Sequence, residues 1–221
     1  MKKKLVIFGA GDIAQLAHYY FSTDSEYEVA AFTVDAEFII EEQLFKLPIV
    51  PFEDLEHYYP PNEFSIFCAL SYSKVNQLRK EKYENLLCRG YTFASYISTR
   101  ATILNDGKIG QNCFILENNV IQPFVEIGNN VTLWSGNHIG HHSVIGDHCF
   151  LASHVVVSGG VQIAEQCFIG VNATLRDHIS VGARTVIGAG ALILRSTDGE
   201  SVFKGSQTLP SALKSSSLNK I

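Results

Sequence analysis

From Ile97 to Ile193 every sixth residue is Ile, Leu or Val, seventeen positions without a break. A period of six fits neither the 3.6-residue turn of a helix nor the two-residue alternation of a half-buried strand. It fits a chain coiled into a three-sided prism, one aliphatic residue pointing inward from each face. Three hexads make one coil, so the segment gives a little over five coils, stacked at the strand spacing of ~4.8 Å. Each coil buries its apolar corners only against its neighbours, and stability grows by stacking. Glycine or alanine often follows the aliphatic residue (Gly110, Gly128, Gly140, Gly146, Ala164, Gly170, Gly182, Gly188). A sharp corner between short strands favours a residue free of steric restriction. Four positions after the aliphatic residue, small or β-branched side chains recur, among them Val125, Val131, Ser143, Val155, Val161 and Thr185. Cys113, Cys149 and Cys167 share that slot, where cysteine acts as a small hydrophobe. No pair among the five cysteines has metal-knuckle spacing, and all read as reduced thiols.

The segment before the repeat reads as α/β. The apolar run Lys4 to Gly9 ends in a glycine turn, and Asp12 to Ser22 carries Ile13, Leu16, Ala17 and Tyr20 at helical spacing. Strands are predicted at Tyr27 to Thr33 and Phe64 to Leu70, and a charged amphipathic helix from Val75 to Arg89, closed by Gly90. Alternating strands and helices predict a small Rossmann-like parallel sheet. About ninety residues suffice for half of a dinucleotide fold, not for all of it. The predicted organisation is an α/β domain over 1–93, a coiled β domain over 94–195 and a tail over 196–221. Val202-Phe203 packs back on the coil in this reading, and Ser215 to Ile221 is frayed.

Gly9-Ala10-Gly11-Asp12-Ile13-Ala14 is a GxGxxA pattern between strand and helix, where free backbone N–H groups hold phosphate. Asp35 closes the second strand, where an acid often meets a ribose or base. Alone, this pattern also describes a strand-to-helix turn with no ligand. Net charge is -5 and the only basic tract is Lys2 to Lys4, which disfavours nucleic acid as a partner. No run reaches the ~18 apolar residues that span a bilayer, and Leu5 to Ala10 is too short for a signal peptide. A cytoplasmic location is expected, with no membrane partner.

A hexapeptide coil behind a glycine-turn α/β domain resembles the left-handed β-helix acyltransferases. More narrowly it resembles the bacterial nucleotide-sugar N-acetyltransferases acting on bacillosamine- and perosamine-type amino sugars. The left hand is implied by the resemblance, since general chirality favours the right. In that family a mid-coil histidine, in a stretch like x-I-x-H-[DE]-x-x-I-G, is the catalytic base; here the stretch is His138 to Gly146, and His141 takes that place. It would accept the amine proton as the sugar attacks a thioester carbonyl. Gly159 lies one coil further on, and its N–H is the candidate for the developing oxyanion. Two departures stand out: His142 replaces the family's orienting acid, and Trp134 stands near the sugar where many members have asparagine.

The resemblance further implies that Gly9, Gly11, Asp12, Asp35, Leu70 and Ser71 bind the nucleotide-linked amino sugar. Acetyl-CoA is the implied acyl donor, held by Gly159, Val171, Ala189 and Lys204 in a groove between neighbouring subunits of a homotrimer. Two other readings stay open: O-acyl transfer to a sugar hydroxyl, and a non-catalytic trimer that binds nucleotide sugars. His138, His148 and His154 crowd the same region, but exposed β-helix faces carry histidine without chemistry. No metal is expected. The zinc-holding β-helix trimers carry two histidines five residues apart, a spacing absent here.

Overall fold

The computed structural model describes residues 2–217. Each member of the aliphatic series is the second residue of a two-residue strand, except Ile109, which makes a single bridge to Ile127. The strands pair in parallel with the strand one coil on: Thr132 with Phe150, His138 with Val156, Val144 with Gln162. Three sheets result. A four-stranded sheet runs from Glu126–Ile127 to Ser180–Val181, a six-stranded sheet from Thr102–Ile103 to Leu192–Ile193, and a seven-stranded sheet from Tyr96–Ile97 to Val202–Phe203. The prism is a left-handed parallel β-helix. From Ile115 to Ile193 every inward aliphatic residue is at most 5% exposed. Each such burial stabilises by ~1.5–3 kcal/mol. Ile97 remains 37% exposed because it lies on the open first coil. The tail supplies a last rung: Val202–Phe203 pairs with Val186–Ile187, so the coil runs past 195. Ser215–Ser217 forms a 3₁₀ turn, and the rest of the frayed stretch predicted at Ser215 to Ile221 lies outside the described residues.

The corner chemistry differs from the sequence reading. None of the glycines directly after the aliphatic residue has a positive φ; left-handed backbone falls two residues later, at every sixth position from Asp106 to Gly190. Asn, Gly and His dominate that column, types that tolerate the left-handed region. His142, His148, His154 and His178 all sit there, so the histidine excess is largely a turn requirement. The glycines after the aliphatic residue answer to packing instead. A Cβ placed on Gly140 would lie 2.6 Å from Gly159 N, and one on Gly146 would lie 2.8 Å from Ala164 C. The cysteine slot also does more than save space. Cys113, Cys149 and Cys167 each donate a thiol hydrogen to a carbonyl of the next coil, Gly128 O at 3.2 Å, Ala164 O at 3.1 Å and Gly182 O at 3.2 Å. All five cysteines are free; Cys88 alone is exposed.

The N-terminal unit holds β1 (Lys3–Phe8), α1 (Asp12–Thr23), β2 (Tyr27–Val34), β3 (Gln43–Leu44), β4 (Leu47–Pro51), α2 (Leu55–Tyr58), β5 (Ser65–Cys68) and α3 (Gln77–Cys88). The sheet order is β3-β4-β2-β1-β5, parallel except for the β3–β4 hairpin, so it is mixed and not wholly parallel. The unit docks on the seven-stranded sheet, and Tyr96, Phe114 and Leu116 of the coil join the core formed by Leu5, Phe21 and Phe67. Helix α3 starts two residues later than predicted, because Lys74, Val75 and Asn76 are all left-handed. That turn drives Asn76 and Arg79 into one corner of the coil.

At this corner Arg79, 1% exposed, donates to the carbonyls of Asn130, His148 and Cys149 and to Asn130 Oδ1. Asn130 Nδ2 in turn donates to His148 Nδ1 at 2.9 Å, which fixes that nitrogen as an acceptor. Burial pushes the His148 pKa down to about 4; Asp147 opposes the shift, and Arg79 and Lys80 add to it. The unfolded chain protonates this imidazole near its ordinary value of 6.5, whereas the folded chain resists. Stability is therefore complete above pH ~6.5 and falls as pH drops toward ~4, by roughly 2–3 kcal/mol. Urea titrations between those limits should show this slope, and His148→Asn, which suits the left-handed backbone, should flatten it. An equal slope in both proteins would contradict the assignment.

Candidate active site

His141 lies at the corner after strand His138–Ile139, exposed on the coil surface. Its backbone N–H donates to Gln122 Oε1 at 2.9 Å, and its carbonyl accepts from Gly160 N–H at 2.8 Å. The ring lies against the next rung. A Cβ placed on Gly159 would lie 2.6 Å from His141 Cε1 and 2.7 Å from Nε2. Gly159 is thus the bare surface on which the imidazole rests. Among the described residues the Gly159 N–H donates to no acceptor. His142 Nδ1 stands 3.0 Å from His141 Nδ1, so one donates to the other.

The glycine turn builds the second feature. Gly9 has φ +121°, and a Cβ there would lie 2.9 Å from Ala69 O, so only glycine fits between β1 and β5. The α1 N-terminus carries no side-chain cap at Gly11, leaving its first N–H groups open. Gly9, Gly11, Asp12, Leu70, Ser71 and Trp134 line one cavity of about 420 Å³. Tyr72 and Trp134 also wall a second, apolar groove of about 400 Å³, which runs over Phe150 and Phe168 to Val171 and Ala189. Trp134 Nε1 is buried on this shared wall with no acceptor among the described residues. Lys204 is exposed and lies beside this column, its Cα 3.5 Å from a Cβ placed on Gly188.

Asp35 is the exception among the predicted sugar ligands. Its carboxylate is ion-paired with Lys82 of α3 and lies outside the cavity. The Lys82 ammonium also sits over the rings of Phe8, at 5.3 Å, and Phe52, at 4.9 Å. This partner is far away in sequence, so the strand-end signal at Asp35 could not reveal it. Sequence reasoning also missed Tyr72, which stacks edge-on against Phe150 at 5.1 Å and close to Phe168 at 4.8 Å.

The predicted residues do not all meet within one chain. His141 and Gly159 occupy the corner after the six-stranded sheet, whereas Val171 and Ala189 occupy the corner after the seven-stranded sheet. The two corners are one side of the prism apart, six residues or up to ~20 Å of extended chain. The glycine-turn cavity opens beside the second corner, through Trp134.

These features define a hexapeptide-repeat β-helix joined to a glycine-turn α/β unit. Residues 106–141, 127–159 and 160–195 match the family model of the bacterial transferase hexapeptide (six repeats). Among solved structures, the chain is similar to the acetyltransferase domain of PglB from Neisseria gonorrhoeae, with 24% identity, TM-score 0.78, and 88% of this chain and 93% of that one covered. It is similar to PerB from Caulobacter crescentus, solved in complex with CoA and GDP-perosamine, with 22% identity, TM-score 0.80, and 90% and 92% covered. WeeI from Acinetobacter baumannii matches with 20% identity, TM-score 0.76, and 91% and 96% covered. The fold is common to all three over nearly their whole length. Comparison with curated protein sequences gives no match. No helix among the described residues is long and apolar enough to cross a membrane, and no cluster of His, Cys, Asp and Glu there could hold a metal ion.

Proposed function

We propose that the protein transfers an acyl group, most simply acetyl, from acyl-CoA to the amine of a nucleotide-linked amino-deoxy sugar. The observation that carries this reading is the His141 ring resting on Gly159, beside a backbone N–H without a partner. The glycine-turn cavity holds the nucleotide sugar, its phosphates at the open α1 N-terminus. The apolar groove ending at Val171 and Ala189 takes the pantetheine arm, with Lys204 beside its phosphates. Because His141 stands one prism side away from both, the cavity and groove of one subunit face the His141 corner of a neighbour, as in a homotrimer. The structure of PerB holds both CoA and GDP-perosamine, which agrees with two such substrates on this fold.

In the reaction the sugar nitrogen attacks the thioester carbonyl, forming the C–N bond. His141 Nε2 takes the proton that the amine loses, and Gly159 N–H stabilises the oxyanion. The C–S bond then breaks, and the sulfur leaves as coenzyme A thiol with the proton returned by His141. His142 sets the tautomer by accepting from His141 Nδ1–H, which leaves the lone pair on Nε2. A neutral imidazole supports the developing positive charge less than a carboxylate would. The test is thiol release measured with acetyl-CoA and a panel of nucleotide-linked amino sugars and their hydroxy analogues. Release that requires an amino acceptor supports the proposal. Release with hydroxy acceptors alone would make the protein an O-acyltransferase, and nucleotide binding without acyl-CoA affinity would make it a binding protein.

A further inference from the structure

The left-handed corner column contains one large apolar residue among its polar and glycine members. Phe124 has φ +67°, in a column otherwise filled mainly by Asn, Gly and His. A bulky aromatic residue in this region is an outlier. Phe124 is also 61% exposed, so little burial within the chain offsets the strain. Such strain clusters where function requires it. The ring lies 4.6 Å from the His142 imidazole, tilted by 35°. Its two predecessors touch the same pair of residues: Pro123 O accepts from His142 N–H at 3.3 Å, and Gln122 Oε1 accepts from His141 N–H at 2.9 Å.

We propose that Phe124 is a positioning residue, whose ring holds the His142 imidazole against His141 and thereby fixes the His141 tautomer with its free lone pair on Nε2. The inference deepens the acyltransferase reading and rests on it for the meaning of that lone pair. The segment Gln122-Pro123-Phe124, one coil before the histidines, replaces the orienting carboxylate by mechanical support. An exposed imidazole such as His142 rotates about two bonds; the Phe124 face removes one range of those rotations. A carboxylate in its place would need no such wall, since charge alone would hold the bond to His141.

The test compares wild type, Phe124→Asn and Phe124→Tyr. Asparagine relieves the left-handed strain, as Asn112, Asn118, Asn130 and Asn172 do in the same column. The melting temperature of Phe124→Asn should therefore rise by a few degrees, while kcat falls ~10-fold at unchanged KM, an effect of lost orientation. Phe124→Tyr keeps the ring and should recover most of the rate. Long-range ¹H–¹⁵N spectra of the histidine rings should show His141 as one tautomer, protonated on Nδ1, in wild type and in Phe124→Tyr. Phe124→Asn should show an average of two. The spectra decide the inference without any turnover, so a wild type that transfers no acyl group would overturn the proposed function but not the positioning role. An unchanged His141 tautomer in Phe124→Asn overturns it. A changed oligomeric mass with that tautomer unchanged also overturns it, placing Phe124 in a contact between copies.

Discussion

Gly159→Ala is expected to reduce acyl transfer by ~100-fold or more while leaving the coil folded. The added methyl would meet His141 Cε1 at 2.6 Å and Nε2 at 2.7 Å, so the ring must swing off the rung. A base displaced by about an ångström no longer reaches the proton it should take. The backbone has no quarrel with alanine here. Gly159 has no positive φ, and the same column position carries Ser153, Glu165, Val171, Asp177 and Ala183 elsewhere in the coil. The atoms in the way belong to a side chain that can move, so the fold is spared and the chemistry is lost. Thermal unfolding and single-turnover rates on the same sample separate the two. A variant that keeps its rate would show that the imidazole does not work from this rung.

The second large effect is on stability. Arg79→Ala should lower the unfolding free energy by ~3–5 kcal/mol, because several charge-assisted hydrogen bonds are lost together and the large side chain leaves a void. Arg79 is buried, and burial lowers its pKa only to about 10, so it stays charged at neutral pH. No carboxylate pairs with it among the described residues. Its charge is instead spread over three main-chain carbonyls and Asn130 Oδ1 at one corner of the coil. Alanine leaves those acceptors without a donor and opens a cavity between α3 and the prism. For a chain of this size the expected fall in melting temperature is ~10 °C. Arg79→Lys, with fewer donors and no planar fork, should recover only part of it. A melting temperature unchanged in Arg79→Ala would mean that apolar contacts alone dock the two units.

The coil was legible because its signal is repetitive: aliphatic side chains at a single spacing, Ile97 to Ile193, fix face, register and stacking together. The glycine turn was legible for the related reason that Gly9 and Gly11 are local in sequence. What failed to show was non-local or conformationally silent. The β3–β4 hairpin turns through Phe45 and Lys46, both at positive φ, and neither residue type signals such a turn. The ion pair of Asp35 with Lys82 and the Arg79 corner join residues distant in sequence, so no motif records them. The glycines after the aliphatic residues were recognised, but for the wrong cause: they yield room to the neighbouring rung, while the left-handed turn belongs to the Asn and His column. The contact of His141 with Gly159 follows from the eighteen-residue register. The support from Phe124 does not, because it depends on the direction in which a ring points.

His141→Asn in the thiol-release assay is the most direct measurement. Asparagine keeps a polar side chain over Gly159 but cannot take the amine proton, so kcat should fall by ~1000-fold or more with the affinities for acyl-CoA and nucleotide sugar retained. An undiminished kcat in His141→Asn would contradict the assignment of this imidazole as the base, and with it the chemistry proposed for the coil.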